Sequence, residues 1–301
     1  MATARVVAIA FCAVLAAHLA AATGDSWYLA QAPAGPGTPR RIVSLVPAAT
    51  EMLFAIGAES QIVGVSSYDR FPPQVGRLPK VGGLLDPNVE RLLSLRPDLV
   101  VVYGTQTDLR QLLDRAGISV FVYSHRDLAD VTRTLRELGD RVGAATRAHA
   151  EAARIEGALA DIGRQASRQG RPKALLVIGH EAGTLRQVQA SGGYGFLHDL
   201  LVIAGAHDVL ADLQRESVAM STEMLLTRAP DVIIDLHSGN PWPPDRVAAE
   251  RGIWRTLASV PAIKSDRVRV LVGDEFVVPG PRVVAAARQL ASALHAAPGR
   301  R

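Results

Sequence analysis

Cysteine is nearly absent from this sequence of 301 residues. Cys12, the one cysteine, lies in an apolar run from Val6 to Ala22 that follows Arg5. A basic residue, an apolar run and then small residues are typical of a secretory signal peptide. Residues 1–22 are therefore predicted to be removed, with cleavage at the latest near residue 32. A membrane anchor is the alternative interpretation, although the run barely reaches spanning length. A mature chain without Cys12 has no disulfide and no thiol chemistry.

Familiar catalytic motifs are also missing. The sequence has no G-x-S-x-G elbow, no P-loop and no G-x-G-x-x-G after a predicted strand. Its Asp, His and Ser residues follow no recognisable catalytic order. We therefore predict that the protein is not an enzyme, with hydrolase activity as the alternative.

A concentrated basic patch is missing as well. The formal charge is +4 and the pI is about 9.6. The arginines are scattered among acidic residues, however, and no basic run is interleaved with aromatic residues. Nucleic-acid binding requires such a concentrated footprint. The sequence therefore predicts a solvated basic surface and no nucleic-acid partner.

The first half of the sequence alternates strand and helix patterns. Residues 31–40, QAPAGPGTPR, have no apolar periodicity, so residues 23–40 are predicted to be a flexible tether. Beyond it, short apolar runs alternate with helical patterns, which is typical of a parallel α/β sheet. The predicted strands are 41–46, 61–67, 98–104 and 118–124, and the predicted helices are 48–58, 88–96 and 107–117. Residues 41–127 form the predicted N-terminal lobe.

The middle of the sequence interrupts this alternation. Residues 128–169 contain no strand-like run, and residues 144–169 are rich in Ala, Arg, Glu and Gln. This composition predicts one long helix of about 25 residues, which spans about 35–40 Å. Residues 128–170 are therefore assigned to a helical connector that includes this backbone helix.

The alternation returns in residues 171–298, the predicted C-terminal lobe. Its predicted strands are 173–179, 231–235 and 267–272, and its predicted helices are 195–206 and 280–294. The sequence thus predicts two α/β lobes with parallel sheets, joined by a single long helix.

One helix-to-strand unit occurs in both lobes. Residues 88–102, NVERLLSLRPDLVVV, align with residues 221–235, STEMLLTRAPDVIID, at a constant offset of 133 positions. The matched residues are Glu90 with Glu223 and Pro97-Asp98 with Pro230-Asp231. The prolines have a local explanation, because proline cannot continue a helix. That explanation does not account for the two glutamates.

The N-terminal third carries a family resemblance. RIVSLVPAATEMLFAIGAESQIVGVSSYDRFPP, followed by VGGLLDPNVERLLSLRPDLVVVYG, resembles the periplasmic binding proteins for cobalamin and ferric chelates, which serve ATP-driven importers. The resemblance covers about Arg41 to His295 and is greatest toward the cobalamin-binding members, through GVSSYDRFPP and GDEFVVPGPR. It implies two Rossmann-like lobes joined by a backbone helix, with the ligand in the cleft between them. A periplasmic or other extracytoplasmic location is implied too.

The resemblance also implies partners. The implied ligand is a metal chelate, with a corrinoid such as cobalamin first and haem or a ferric siderophore as the alternative; no intrinsic cofactor is expected. The ABC permease and ATPase are expected on separate chains, and the binding protein is expected to be a monomer. In this family one glutamate on each lobe docks onto permease arginines, and the matching residues are Glu90 and Glu223. The alternative is that each is an acid in a first helical turn, favourable to the helix dipole.

Candidate ligand-binding residues follow the strand ends, because ligands of open α/β sheets lie beyond the carboxyl ends of the strands. They are Pro47, Tyr68, Leu84, Tyr103, His180, Trp242 and Asp274. The resemblance marks Tyr68, Tyr103 and Asp274 as ligand-contacting positions. Leu84 and Tyr103 stand where the best-known cobalamin binder has tryptophan, and Val278 stands where it has arginine. Trp242 is interpreted either as a flank of the ligand or as a surface anchor.

Three histidines also follow strand ends: His125, His180 and His237. A neutral imidazole is a suitable axial ligand for haem iron or cobalt, and the alternative for each is an ordinary hydrogen-bonded loop residue. A direct transition-metal binder is a further alternative, in which the three histidines converge with Asp274 when the lobes close tightly. No metal site is predicted firmly.

Overall fold

The structure, a computed structural model, describes residues 37–296. The predicted signal peptide and most of the predicted tether therefore lie outside the described residues. Residues 38–296 belong to one unit that contains two separate β-sheets. Within the described range, no helix has both the length and the hydropathy that crossing a membrane requires.

The first sheet belongs to the N-terminal lobe and is fully parallel. Its strands are β1 (Ile42–Ser44), β2 (Ile62–Val65), β3 (Leu99–Tyr103) and β4 (Ser119–Tyr123). Helices α1 (Pro47–Ala55), α2 (Val89–Ser94) and α3 (Thr107–Arg115) lie between them. The strand order is β2-β1-β3-β4. Every predicted strand and helix of this lobe is confirmed, and β3 is buried from Leu99 to Val102, as its unbroken apolar run requires.

Two helices form the connector. Helix α4 (Ala129–Val142) ends at Gly143, whose φ of 75° is left-handed, and α5 (Ala145–Ala166) follows closely. The two helices pack so tightly that a Cβ on Gly139 would collide with the Cβ of Ala148. The 22 residues of α5 span about 33 Å, which agrees with the predicted long helix.

The C-terminal lobe contains the second sheet. Its strands are β5 (Lys173–Gly179), β6 (Gln189–Gly192), β7 (His207–Asp208), β8 (Arg215–Ala219), β9 (Val232–His237) and β10 (Val268–Val272). Its helices are α6 (Phe196–Ile203), α7 (Thr222–Arg228), α8 (Pro244–Ile253), α9 (Pro261–Lys264) and α10 (Val283–His295). The strand order is β10-β9-β5-β6-β8, and β7 pairs with β5.

This second sheet corrects the prediction of a parallel sheet in each lobe. Strands β5, β7, β9 and β10 are parallel, but β6 pairs antiparallel with both β5 and β8. A short connection is enough to join antiparallel neighbours, and only residues 180–188 separate β5 from β6. The sequence pattern missed β6 and β8 because both are poor in large apolar residues. The two-lobe α/β fold with one long joining helix is confirmed, whereas the exact lobe boundaries stay predictions.

The repeated unit begins and ends in the same way in both lobes. The Asn88 side chain caps α2 and the Ser221 side chain caps α7, each accepting a backbone N–H from three residues further on, at 2.8 and 3.0 Å. Such caps satisfy N–H groups that the first helical turn leaves unpaired. Shortly after each helix the chain passes through a left-handed residue, Arg96 with φ 47° and Ala229 with φ 46°. The sequence repeat is therefore a structural repeat.

The aspartate of each Pro-Asp pair has a structural role. Asp98 Oδ1 accepts the backbone N–H of Arg41 at 2.9 Å, and Asp231 Oδ2 accepts that of Lys173 at 3.0 Å. Arg41 and Lys173 stand at the beginning of β1 and β5, the strands that neighbour β3 and β9. Each aspartate therefore ties the beginning of a central strand to the strand beside it.

One apolar core continues through both lobes. The buried residues Ile155, Leu159 and Ile162 form a stripe on α5 at the spacing of a single helical face. They belong to the same cluster as Leu53 of α1 and Leu290 of α10. Separating the lobes would expose this shared core to water, which is unfavourable in proportion to the apolar area exposed.

A buried ion pair also joins the lobes. Arg282, which precedes α10, donates to both oxygens of Glu51 on α1, at 2.6 and 2.9 Å. The Glu51 side chain is 3% exposed, and Glu275 lies 3.3 Å from the same guanidinium. Burial raises the pKa of Glu51, and the Arg282 charge opposes that rise. Bidentate hydrogen bonds of this kind are the strong form of the Arg–carboxylate contact.

The Arg282→Met variant should lose stability, because it leaves Glu51 buried without its partner. We expect the free energy of unfolding to fall by about 3–5 kcal/mol, measured by urea denaturation. Arg136→Met is the matched control, since Arg136 makes the same fork to Glu156 on the surface, at 2.8 Å for each bond. The control should lose less than about 1 kcal/mol. Equal losses in the two variants would contradict the role given to the buried pair.

Candidate functional site

The N-terminal lobe has an exposed apolar surface formed by Tyr68 and Leu84, which we call the apolar wall, and hydrogen bonds hold the backbone behind it. Tyr68 is 63% exposed and Leu84 is 37% exposed, although both are large apolar side chains. The Tyr68 ring lies against Gly83, where any Cβ would collide with the ring. Behind the wall, the Gln106 amide donates to the Leu84 carbonyl and its oxygen accepts the Tyr103 N–H, both at 3.0 Å. Exposed apolar groups clustered on such a support are typical of a binding surface.

The structure therefore brings together three of the predicted ligand residues, Tyr68, Leu84 and Tyr103. Burial raises the pKa of Tyr103, whose ring meets Tyr123 edge-on at 5.9 Å. Pro47 is the first residue of α1, one turn before Glu51 at the lobe junction. Pro47 thus follows the carboxyl end of β1, where the strand-end rule predicted it.

A cavity of about 340 Å³ lies between segments of the two lobes. The N-terminal lobe contributes His125 and Arg126, which follow β4, and the C-terminal lobe contributes Tyr194, Val277 and Pro279 among others. Tyr194 and Val277 were not found from the sequence, because neither directly follows an apolar strand pattern. Burial lowers the pKa of His125, which favours its neutral imidazole. The volume falls in the range of small-molecule pockets.

The Asp274 carboxylate contacts a loop of its own lobe and an arginine of the other lobe. Its Oδ1 accepts the Gly239 N–H at 2.7 Å, and its Oδ2 lies 3.8 Å from Arg70 Nη1 of the N-terminal lobe. The predicted ligand contact at Asp274 therefore competes with these two partners. The Trp242 ring, on the same loop, contacts both the Arg246 guanidinium at 3.7 Å and the His237 ring at 4.3 Å, which favours the anchor interpretation.

A cluster of four titratable side chains occupies the carboxyl edge of the C-terminal sheet. It consists of His180, Asp235, His237 and Glu250, whose nearest ligand atoms all lie within 4.8 Å of one another. His180 directly follows β5, Asp235 and His237 lie on β9, and Glu250 lies on α8. The side chains of His180 and Asp235 are 1% and 0% exposed. We call this group the histidine cluster.

The electrostatics of the histidine cluster centre on Asp235. Its carboxylate raises the pKa of His180 to about 9, chiefly through the contact between His180 Nε2 and Asp235 Oδ2 at 3.2 Å. Burial acts to raise the pKa of Asp235, but His180, His237 and Trp254 together hold it below its ordinary value. The Trp254 indole N–H donates to Asp235 Oδ2 at 2.9 Å.

The predicted metal set is only half present in this cluster. His180 and His237 belong to it, but His125 lies beside Tyr123 at 5.7 Å, and Asp274 is engaged elsewhere. Asp235 and Glu250 take their places. The sequence signal for Asp235 was available, because Asp235 and His237 stand two apart on one strand and so share a face.

Comparison with known proteins identifies the family. The profile of the periplasmic binding protein family matches residues 42–274 of this chain. The chain belongs to the periplasmic binding protein family. It is a solute-binding protein of the class that serves ABC importers, and this agrees with the resemblance read from the sequence.

Individual relatives share most of their length with this binding protein. It is 30% identical over 265 residues to the vitamin B12-binding protein of Pectobacterium carotovorum subsp. carotovorum (strain PC1), covering 86% of this chain and 89% of that protein. It is 27% identical over 263 residues to the uncharacterized ABC transporter substrate-binding lipoprotein YvrC of Bacillus subtilis (strain 168), covering 85% and 80%. The solved structure of a periplasmic haem-binding protein from Pseudomonas aeruginosa superposes with a TM-score of 0.70 at 29% identity, covering 85% and 93%.

Both glutamates of the repeat are exposed in this binding protein. Glu90 lies in the first turn of α2 and Glu223 in the first turn of α7. Each follows a side-chain cap that already satisfies an N–H of its helix. Neither carboxylate is therefore needed to cap its helix, and both stay accessible on equivalent positions of the two lobes.

Asp69, next to Tyr68 in the wall, is a residue that sequence reasoning did not single out. It is 5% exposed, and neither carboxylate oxygen has a hydrogen-bond partner among the described residues. Burial raises the pKa of Asp69 to about 6. A buried carboxyl of this kind is costly when ionised, so the wall is less stable above that pH than below it.

The pH dependence of stability should reveal Asp69. Its pKa rises from 3.8 to about 6 on folding, so between these values the folded chain holds the extra proton and the free energy of unfolding falls as the pH rises. The full loss amounts to about 3 kcal/mol. Urea denaturation at pH 4 and pH 7 should show this slope in the parent and in Asp86→Asn, an exposed control on the same segment, but not in Asp69→Asn. An unchanged slope in Asp69→Asn would refute the assignment.

Proposed function

We propose that this binding protein carries a corrinoid, cobalamin first, in the cleft between its lobes and delivers it to an ABC permease. The observation that carries the proposal is the exposed Tyr68 ring on its braced apolar wall. Macrocycles are large and partly flat, and they bind mostly through apolar and aromatic surfaces. The Pectobacterium relative named as a vitamin B12-binding protein supports the same ligand class.

The connection between the lobes also supports a bulky ligand. The shared core along α5 and the Glu51–Arg282 pair hold the lobes at a set spacing. A cleft that is already formed loses little conformational entropy when a rigid ligand enters it. Such a cleft suits a ligand that fills it without large lobe movement.

Haem is the second candidate, favoured by two observations. One is the likeness to the Pseudomonas haem-binding protein. The other is the presence of suitable axial ligands, namely the exposed Tyr68 and the neutral His125 beside the inter-lobe cavity. Tyrosinate and imidazole both ligate ferric haem.

Ligand titration tests the proposal and separates the two candidates. We expect cobalamin to bind at or below about 1 μM, followed by tryptophan fluorescence or by absorbance. Tyr68→Ala should weaken binding about 30-fold, the effect typical of a central tyrosine anchor. Val202→Ala, an exposed position on α6, should bind as the parent does. No binding of cobalamin, haem or a ferric siderophore at micromolar concentration would overturn the proposed function.

The conservative variant Tyr68→Phe distinguishes stacking from metal ligation. A corrinoid that packs on the ring should keep its affinity within about threefold, because the ring is retained. A haem ligated by the Tyr68 oxygen should instead lose affinity and change its absorbance bands, because the ligating atom is gone. If Tyr68→Phe loses haem affinity and changes the haem absorbance bands, and the parent binds cobalamin only weakly, haem is the ligand.

Removing the two exposed glutamates tests docking separately from ligand binding. The double variant Glu90→Ala/Glu223→Ala should keep its ligand affinity, whereas uptake through the cognate permease should fall at least tenfold, because rim charges set orientation and association rate. The matched control Glu59→Ala/Glu181→Ala removes one exposed glutamate from each lobe and should leave uptake unchanged. A loss of ligand affinity in the first variant would move these residues from docking to the ligand site.

A further inference from the structure

The histidine cluster lies within the C-terminal lobe and involves none of the apolar wall. We propose that it binds a divalent transition-metal ion of the Zn²⁺ class through His180, Asp235, His237 and Glu250. This site is additional to the ligand cleft, and it takes the bare ion rather than a chelate. Four observations carry the proposal: unpaired buried atoms, the spacing of these atoms, their charge, and their outer partners.

Three atoms of the cluster are buried without a hydrogen-bond partner. They are Asp235 Oδ1, His237 Nε2 and Glu250 Oε1, as judged among the residues that the structure describes. Asp235 Oδ1 lies 3.2 Å from His237 Nε2, and Glu250 Oε1 lies 3.2 Å from His180 Nε2. These contacts are short enough for hydrogen bonds but do not have their angles. The ligand atoms of the four residues lie within 4.8 Å of one another, and buried polar atoms are rarely left without a partner.

The spacing of the four atoms suits a small cation. Bonds of about 2.0–2.1 Å from Zn²⁺ to imidazole nitrogen or carboxylate oxygen place neighbouring tetrahedral ligands about 3.3 Å apart. With Asp235 Oδ1 as the ligand atom, two pairs in the cluster are separated by 3.2 Å, namely Asp235 Oδ1 with His237 Nε2 and Glu250 Oε1 with His180 Nε2. The widest pair, at no more than 4.8 Å, exceeds the tetrahedral edge by at most about 1.5 Å. Small torsional changes in the partly exposed His237 and Glu250 close that difference.

The charge of the cluster favours a divalent ion. Asp235 and Glu250 bring two carboxylates together at side-chain exposures of 0% and 14%. Buried charges require compensation, and an uncompensated pair of like charges is costly. Binding of the ion displaces the proton that Asp235 otherwise holds on His180, and with both imidazoles then neutral a divalent cation balances the two carboxylates.

The outer partners are those of a metal site. His180 Nδ1 lies 3.1 Å from the Glu181 carbonyl, so a proton on Nδ1 leaves the Nε2 lone pair facing the cluster. Trp254, which is fully buried, donates its indole N–H to Asp235 Oδ2 at 2.9 Å. Metal-ligating histidines and carboxylates are commonly oriented in this way by carbonyls and N–H donors.

The donor set selects the class of metal. Two imidazole nitrogens and two carboxylate oxygens suit Zn²⁺ and its transition-metal neighbours. Mg²⁺ and Ca²⁺ prefer oxygen ligands throughout and more of them. Zn²⁺ should therefore bind, and Mg²⁺ should not compete with it.

Metal titration of the untagged full chain tests the site. The protein is stripped with a chelator, returned to metal-free buffer and titrated with ZnCl₂ against a chromophoric competitor, without any corrinoid or haem present. We expect one Zn²⁺ per chain at a Kd below about 1 μM, a rise in Tm on adding Zn²⁺, and visible absorption bands of tetrahedral symmetry when Co²⁺ replaces Zn²⁺. A tenfold excess of MgCl₂ should leave the Zn²⁺ titration unchanged.

Variants assign the binding to these residues. Trp254→Phe removes only an outer partner and should weaken Zn²⁺ binding about 10- to 100-fold. His237→Ala and Glu250→Gln each remove a ligand and should weaken it further. His198→Ala is the matched control, because His198 pairs with Asp208 at 2.7 Å in the same lobe but outside the cluster; its Zn²⁺ affinity should equal that of the parent. Circular dichroism confirms that each variant is folded before titration.

The proposal is wrong if the folded parent binds no Zn²⁺ below 100 μM. It is also wrong if His237→Ala and Glu250→Gln bind Zn²⁺ as tightly as the parent does. In either case the cluster is a buried hydrogen-bonded network without a metal. A failure of cobalamin binding would leave this inference unaffected, because the titration uses the metal alone. The two proposals therefore fail independently.

Discussion

The attachment of one lobe to the other is the constraint on which the rest of the structure depends. The apolar stripe of α5 belongs to a core shared by both lobes. The buried Glu51–Arg282 ion pair joins α1 of the N-terminal lobe to the residue that precedes α10 of the C-terminal lobe. Opening the lobes widely would expose apolar area and break a buried ion pair at once, and each change is costly. Ligand selection must therefore come from the shape and chemistry of a cleft that exists before the ligand arrives.

The repeated unit shows which residues the fold itself requires. Asn88 and Ser221 cap their helices, and Asp98 and Asp231 tie neighbouring strands, so these positions have local reasons to recur. The exposed glutamates are not the caps, and each is an acid in a first helical turn, where its charge favours the helix dipole. Their exposed, equivalent positions on the two lobes also suit them to recognition by a partner that contacts both lobes.

Much of the fold, and the placing of Tyr68, Leu84 and Tyr103 together, could be predicted from local patterns, whereas the ion pair at the lobe junction and the acids of the histidine cluster could not. Continuous apolar runs such as β3 and the long helix α5 were predictable because burial and periodicity are properties of adjacent residues. The Glu51–Arg282 pair was not, since 231 positions separate its members and nothing local links them. Glu250 was not predicted as a site residue, because nothing in the local sequence distinguishes it from an acid on a solvated surface. Strands β6 and β8 were missed because their sequences, QASG and RESVA, contain few large apolar residues and so lack a strand-like pattern.

The histidine cluster and the cleft are linked through one loop, and this link gives the proposed metal a consequence beyond local stability. His237 ends β9 and its ring contacts that of Trp242 at a tilt of 43°. Gly239, between them in sequence, is held by Asp274, which also faces Arg70 of the other lobe. An ion bound at His237 fixes the orientation of that ring and with it the surface on which Trp242 rests. Coupling between two binding sites is reciprocal. If the metal changes the affinity for a ligand that contacts this loop, that ligand must therefore change the affinity for the metal by the same factor.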